Sequence, residues 1–296
     1  PFSNRLVIMM PLGSMHTPEV VYSPESSMRR PRQLFSGMMR DLHASRELAW
    51  LLFVRNIRAQ YRQTLLGYFW AIFPPLVTSL TFIFLNSQKI INVSTTKISY
   101  PAFILVGVLL WQGFVDAMNT PIRLVNSSVA MITKINFPRE ALVMAGLYEV
   151  ILNFVIRLAL VFLLLVWRRD PISWTALMMP LGALSIIGLG LMFGLLLAPL
   201  GVLYQDIGRG LSLLTSLWFF MTPVIYPAPT TWPACLLGRI NPVSPLLVTT
   251  REWLDSNDFF MPASFVLVAG LTFILLLAGW ILYRLAMPRL VERMSA

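Results

Sequence analysis

The sequence is poor in the side chains that carry most chemistry. Among 296 residues there is one cysteine, Cys235, and there are two histidines, His16 and His43. One cysteine closes no internal disulfide, and so few soft ligands leave almost no raw material for metal or thiol chemistry. Cys235 itself reads as a small buried residue. Lysine is nearly as scarce, occurring only as Lys89, Lys97 and Lys134. None of the three follows a glycine, so the G-x-x-x-x-G-K-[ST] phosphate loop is absent. Charge of either sign is sparse as well, at 12%, where a soluble domain carries about 25%.

What fills the gap is apolar. Hydrophobic residues make up 57% of the chain, and the mean hydropathy is +0.71. This composition predicts an all-α integral membrane protein with one transmembrane domain. The formal net charge of +10 raises nucleic acid as a partner, but the basic residues are strung between apolar runs, where membrane topology requires them. Nucleic acid is therefore excluded as a partner, and membrane lipids are expected.

A helix needs about 20 apolar residues to cross the hydrocarbon. Six stretches qualify: 65–85, 101–120, 141–167, 171–205, 210–227 and 259–283. Pro223, Pro227, Pro229 and Pro233 crowd the end of the fifth apolar run. The following residues, 228–258, are too rich in proline for one straight span. Two short helices re-entering from the outer face, near 232–237 and 245–253, fit them better. With the N-terminus inside, Lys and Arg divide 16 to 6 between inner and outer segments, and Arg157 within a span completes the 23. The bias predicts cytoplasmic N- and C-termini. Residues 1–44 form a flexible N-terminal tail without signal-peptide features, and 45–296 form the transmembrane domain.

Ahead of the first span, residues 45–62 read SRELAWLLFVRNIRAQYR. At 100° per residue Trp50, Phe53, Val54, Ile57 and Tyr61 share one face. Arg55, Arg58 and Arg62 form a separate basic stripe. This pattern predicts an N-terminal amphipathic helix lying in the cytoplasmic interface.

Residues 121–140, PIRLVNSSVAMITKINFPRE, form a polar interruption longer than a turn needs. Residues 125–133 can make a short cytoplasmic helix, with Asn126, Ser127 or Ser128 capping its start, and Pro138 breaks the chain before the next span. Within the spans, Asp116, Glu149 and Arg157 are the ionisable residues that invite attention. They are few for a proton-coupled relay. Glu149 and Arg157 lie two turns apart on a similar face, too distant to pair along one helix. Six spans, no nucleotide site and a cytoplasmic segment of helical potential point to a permease driven by a separate ATPase. An ion-coupled carrier built on those three charges is the rival from another class.

Four stretches then carry a resemblance: RNIRAQYRQTLLGYFWAIFPPL, NSSVAMITKINFPRE, LGVLYQDIGRGLSLLTSLWFFMTPVIYP and INPVSPLL. In this order they resemble the ABC-2 family of polysaccharide and polyol-phosphate export permeases, the membrane subunits for O-antigen, capsule and teichoic-acid export. The resemblance implies a homodimer of non-catalytic permeases with two cytoplasmic ABC ATPase subunits, which bind the ATP and Mg; this chain holds no cofactor or metal. It implies a bacterial inner-membrane location and a lipid-linked polysaccharide, O-antigen-like, as cargo. Asn126, Ser127, Ser128, Lys134, Phe137, Pro138 and Arg139 would then be ATPase-coupling residues, with Tyr204, Asp206 and Arg209 as a second contact. Tyr68, Trp70, Phe73, Trp111, Trp218, Phe219, Phe220 and Tyr226 would line the substrate channel, since sugar C–H faces stack on aromatic rings. An ABC-2 permease for a small hydrophobic drug or lipid is the alternative within the family.

Overall fold

Long apolar runs without charge leave the backbone no water to bond to, so each satisfies its own amides as a helix. The computed structural model describes residues 31–62, 64–90, 98–132, 140–169, 173–204, 206–229, 231–255 and 260–295. Among these residues every regular element is helical. The chain divides into two compact units, Pro1–Arg40 and Asp41–Ala296. Of the first, only residues 31–40 are described, and they belong to helix α1 (Pro31–Ala44). Residues 31–44, expected as part of the flexible tail, are thus helical.

The second unit continues with α2 (Arg46–Tyr61), α3 (Phe69–Ser87), α4 (Tyr100–Ile132), α5 (Glu140–Arg168) and α6 (Met179–Leu203). It ends with α7 (Asp206–Met221), α8 (Ala234–Ile240), α9 (Val243–Asp255) and α10 (Ala263–Ser295). A 3-10 turn, Trp174–Met178, leads into α6, and Ser173 Oγ accepts from the Thr175 amide at its start. Among the described residues five helices are long and apolar enough to cross a membrane, those over Phe69–Ser87, Tyr100–Ser128, Glu140–Arg168, Trp174–Leu203 and Ala263–Met287. The expected fifth span is covered by α7, which has 16 residues and a length of about 24 Å, short of the ~30 Å hydrocarbon.

Helix α4 is the axis of the unit. It is apolar on every side between Ala102 and Trp111, and all of those residues are buried, as expected of a helix enclosed by others. Its partner α6 approaches closely through small residues. A Cβ on Gly190 would strike the Phe114 carbonyl oxygen, and one on Gly194 would come within 2.6 Å of that of Met118. Gly201 likewise faces Ile122. Positions rise together along both helices, so α4 and α6 run parallel and end side by side. Gly188 faces Thr272 and Gly279 faces Leu196, so α10 runs parallel to α6 too. Helix α7 runs the other way: Trp218 meets Phe114 at 5.4 Å, and farther along the chain the Val224 carbonyl rests on Gly107. The segment after α6 therefore returns from the Gly201 end of the bundle to the Gly107 end.

At that far end α8 and α9 fall where the sequence predicts two short helices. Arg251 of α9 fixes the returning strand of chain. Its Nη1 donates to the carbonyls of Pro223 and Val224, each at 3.1 Å, and its guanidinium lies 3.6 Å from the Phe103 ring centre. Burial lowers its pKa to about 10, against an opposing push from Glu252, so it stays charged at neutral pH.

Candidate functional site

Three groups of polar or aromatic residues stand out from the apolar bundle. The first is a cleft of about 340 Å³ between α2, α3, α4 and α5. Glu149, Asn153 and Arg157 recur every four residues along one face of α5, opposite Asp116, Asn119, Thr120 and Arg123 of α4. Arg157 Nη1 donates to Asp116 Oδ2 at 2.6 Å, and Arg123 Nη2 donates to Glu149 Oε1 at 2.6 Å. The charges that look isolated in the sequence are therefore paired across helices. Arg157 does a second job, because its Nε donates to the Ala71 carbonyl at 2.9 Å. Pro75 has no N–H, so the carbonyl four residues before it lacks its helical donor. Arg157 supplies that donor and ties the Pro74-Pro75 region of α3 to α4 and α5. The remaining buried oxygens are different: Glu149 Oε2 and Asn153 Oδ1 receive no hydrogen bond from any described residue.

The second group is aromatic. Trp111 and Phe114 of α4, Phe193 of α6, and Trp218 and Phe219 of α7 pack at centroid distances of 5.3–6.4 Å, mostly edge to face. Asn241 locks the cluster. Its Oδ1 accepts from Trp218 Nε1 and from the Val243 amide, both at 3.0 Å, and its Nδ2 donates to Thr222 Oγ1 at 2.8 Å. Trp111, expected as channel lining, is 3% exposed, with its ring edge-to-face against Trp218 and Phe219 of α7 at 6.4 and 5.8 Å. Tyr68, Trp70, Phe73 and Phe220 are exposed, whereas Trp218, Phe219 and Tyr226 are half-buried. Trp70 also forms part of the wall of the polar cleft.

The third group is the paired ends of α4 and α6. Asn126 and Ser127 are exposed there, while Ser128 is buried. They cap no separate helix: α4 continues to Ile132, and the Ser127 hydroxyl donates back to the Leu124 carbonyl at 3.1 Å. Tyr204, Asp206 and Arg209 project from the turn between α6 and α7, with Asp206 and Arg209 3.7 Å apart in an exposed pair. Lys134, Phe137, Pro138 and Arg139 lie outside the described residues.

Helix α2 buries only part of the face expected to be apolar. Phe53 and Ile57 are buried, joined by Ala49 and Leu52, and Phe53 meets Tyr148 of α5 at 6.0 Å. The apolar face thus packs on the bundle, Trp50 stays exposed, and Arg55, Arg58 and Arg62 point away.

The ABC-2 type transporter family matches residues 47–252, which contain all three groups. The chain belongs to that family. An O-antigen export system permease protein of Myxococcus xanthus is 28% identical over 220 residues, 72% of this chain and 82% of that protein. A Klebsiella pneumoniae protein of the same name is 24% identical over 210 residues, 67% of this chain and 76% of its own. The polysialic acid transport protein KpsM of Escherichia coli is 23% identical over 244 residues, 79% and 91% of the two chains. The chain is thus an integral-membrane ABC-2 permease, homologous to proteins named for O-antigen export and for polysialic acid transport.

Two residues of this ABC-2 domain escape sequence reasoning. Asn241 lies in the INPVSPLL stretch, but only the fold shows what its amide holds. Asn153 carries no charge and sits in an apolar run; its spacing of four from both Glu149 and Arg157 is the signal that would have found it.

Proposed function

We propose that this chain is the permease subunit of an ABC exporter carrying a lipid-linked, O-antigen-like polysaccharide across the bacterial inner membrane. Two copies pair, each with a cytoplasmic ATPase subunit that binds ATP and Mg. One observation carries this reading: relatives that cover most of the chain are named for O-antigen export and polysialic acid transport, and both cargoes are sugar polymers. The geometry agrees. Parallel α4 and α6 present Asn126, Ser127, Tyr204, Asp206 and Arg209 at one end of the bundle, where an ATPase can seat against both. Lys134, Phe137, Pro138 and Arg139, which lie outside the described residues, belong to the same coupling segment in this reading. In this reading α7 with residues 222–226 forms the fifth of six crossings, because α6 and α10 run parallel and the chain between them must return. The α8–α9 region re-enters from the outer face, and α2 lies at the cytoplasmic interface. Trp70, Phe73, Phe219 and Phe220, with Tyr68, Trp218 and Tyr226, face the sugar chain as it passes.

Deleting the gene in its host tests the reading. Surface polysaccharide should disappear, lipid-linked polymer should accumulate on the cytoplasmic side, and the purified chain should bring down an ABC ATPase in a two-to-two complex. Intact surface polysaccharide would overturn the export reading, and a drug or lipid as the cargo that stimulates the ATPase would move the chain to the other branch of the family.

A further inference from the structure

We infer that the cleft between α3, α4 and α5 is a binding site for one neutral sugar unit, selected by its hydroxyl groups. The inference rests on the export reading for the source of that sugar, and on the cleft itself for its chemistry.

The charges that line the cleft cancel. Asp116 and Glu149 are matched by Arg157 and Arg123, each pair in contact at 2.6 Å. A charged ligand finds no unmatched charge among these lining residues; Arg123, whose side chain is 51% exposed, is the point at which an anion would compete. What remains unsatisfied is of one kind, since Glu149 Oε2 and Asn153 Oδ1 are both acceptors. Their residues are 3% and 8% exposed, yet both line the cleft. A buried acceptor without a donor is costly, and natural proteins keep few of them. Two on one helix face, four residues apart, call for a ligand that brings O–H groups. At about 340 Å³ the cleft falls within the ~300–1,000 Å³ range of small-molecule sites. Trp70, half exposed on its wall, presents an apolar ring face that suits the C–H face of a pyranose. Hydroxyls for the acceptors and C–H groups for the ring are the two sides of one sugar.

The site also lies on a sensitive joint. Arg157, which closes the cleft with Asp116, holds the carbonyl that Pro75 leaves open on α3. A sugar bound here touches the residues that set how α3 rests on α4 and α5, so occupancy is felt where the first span meets the bundle.

The test is saturation-transfer NMR on the full chain, purified with its ATPase partner in nanodiscs. The probes are the methyl α-pyranosides of glucose, galactose and mannose, with inorganic phosphate as competitor. At least one glycoside should receive saturation at its ring protons, and phosphate should not displace it. Asn153→Leu should cut the transfer at least five-fold without lowering Tm, because the variant removes an unsatisfied buried acceptor. A structural role for Asn153 would instead lower Tm, and that result overturns the inference. If Asn153→Leu fails to fold, Trp70→Leu decides, since a half-exposed ring is dispensable to the core; unchanged transfer then sinks the proposal. No transfer from any of the three glycosides, or displacement by phosphate, does the same, and marks the cleft as a site for water or an anion. These outcomes separate from the export reading. Lost surface polysaccharide on deletion with no glycoside binding rejects only the site, whereas glycoside binding with intact surface polysaccharide rejects only the export role.

Discussion

Arg157 shows how much one side chain can hold together in an apolar bundle. Its guanidinium serves Asp116 and the carbonyl freed by Pro75, and its side chain is 9% exposed. Removing one partner of a buried pair is costlier than losing the attraction, because the other charge is left without compensation. Arg157→Leu should therefore destabilise the domain by about 3–5 kcal/mol, read as a lower Tm in detergent and less folded protein in the membrane. The double variant Arg157→Leu with Asp116→Leu should recover part of that loss. If the double variant is as damaged as the two single losses added together, the pair is not coupled in the way described. The outcome also bears on the ion-coupled alternative: in a carrier these charges must move, whereas here each is held at 2.6 Å in a fixed partnership.

At the scale of elements, the contact between α4 and α6 depends on what α6 lacks. Gly190 and Gly194 put backbone against backbone, an arrangement that small residues allow in membrane helices. Gly190→Val would push a side chain into the Phe114 carbonyl and the Ala117 methyl, and should cost about 1–3 kcal/mol by overpacking. Gly270, whose added Cβ meets nothing within 4 Å, is the control: Gly270→Ala should leave Tm nearly unchanged. The continuity of α4 past the expected end of its span makes a separate prediction. Helix α4 runs without interruption from the aromatic cluster to Ile132, accommodating Pro121 on the way, and a helix continuous over that length can carry a push that one broken near its end cannot. Asn126→Pro removes a hydrogen bond near the last turns, so it should lower transport at least ten-fold while Tm of the bundle moves little. Transport at the wild-type level would show that α4 does not carry the coupling.

For the whole molecule, orientation is the property that chemistry can check with least disturbance. The 16 to 6 division of Lys and Arg predicts both termini inside and α8 outside. Cys235, the single cysteine of the chain and partly exposed on α8, is a natural reporter. A membrane-impermeant maleimide added to intact spheroplasts should label the wild-type protein, and Cys235→Ser should abolish the signal. Labelling only after lysis would invert the topology and move the proposed coupling surface to the outside.

Much of this molecule is written in composition and local pattern. Long charge-free runs have one way to satisfy their backbone in lipid, so the existence of the helices over Phe69–Ser87, Tyr100–Ser128, Glu140–Arg168, Trp174–Leu203 and Ala263–Met287 was legible before any fold, though their ends were not. Clustered prolines announced the short helices α8 and α9 by forbidding a straight one. Local pattern does not say which helix lies against which. It could not show that α4 stays helical through Asn126, since serine and asparagine suit a cap as readily as a helix end, nor that Trp111 would be enclosed and Trp70 left open. It presented Asp116, Arg123, Glu149 and Arg157 as scattered charges, because partners 26 and 41 residues apart meet only after α4 and α5 pack antiparallel. The sequence by itself determined a helical membrane protein, its approximate crossings and their inside–outside bias, since each depends on hydrophobicity and charge along the chain. The tertiary structure alone decided the paired charges, the Asn241 lock and the cleft with its two unanswered acceptors, because pairing, enclosure and exposure belong to neighbours in space.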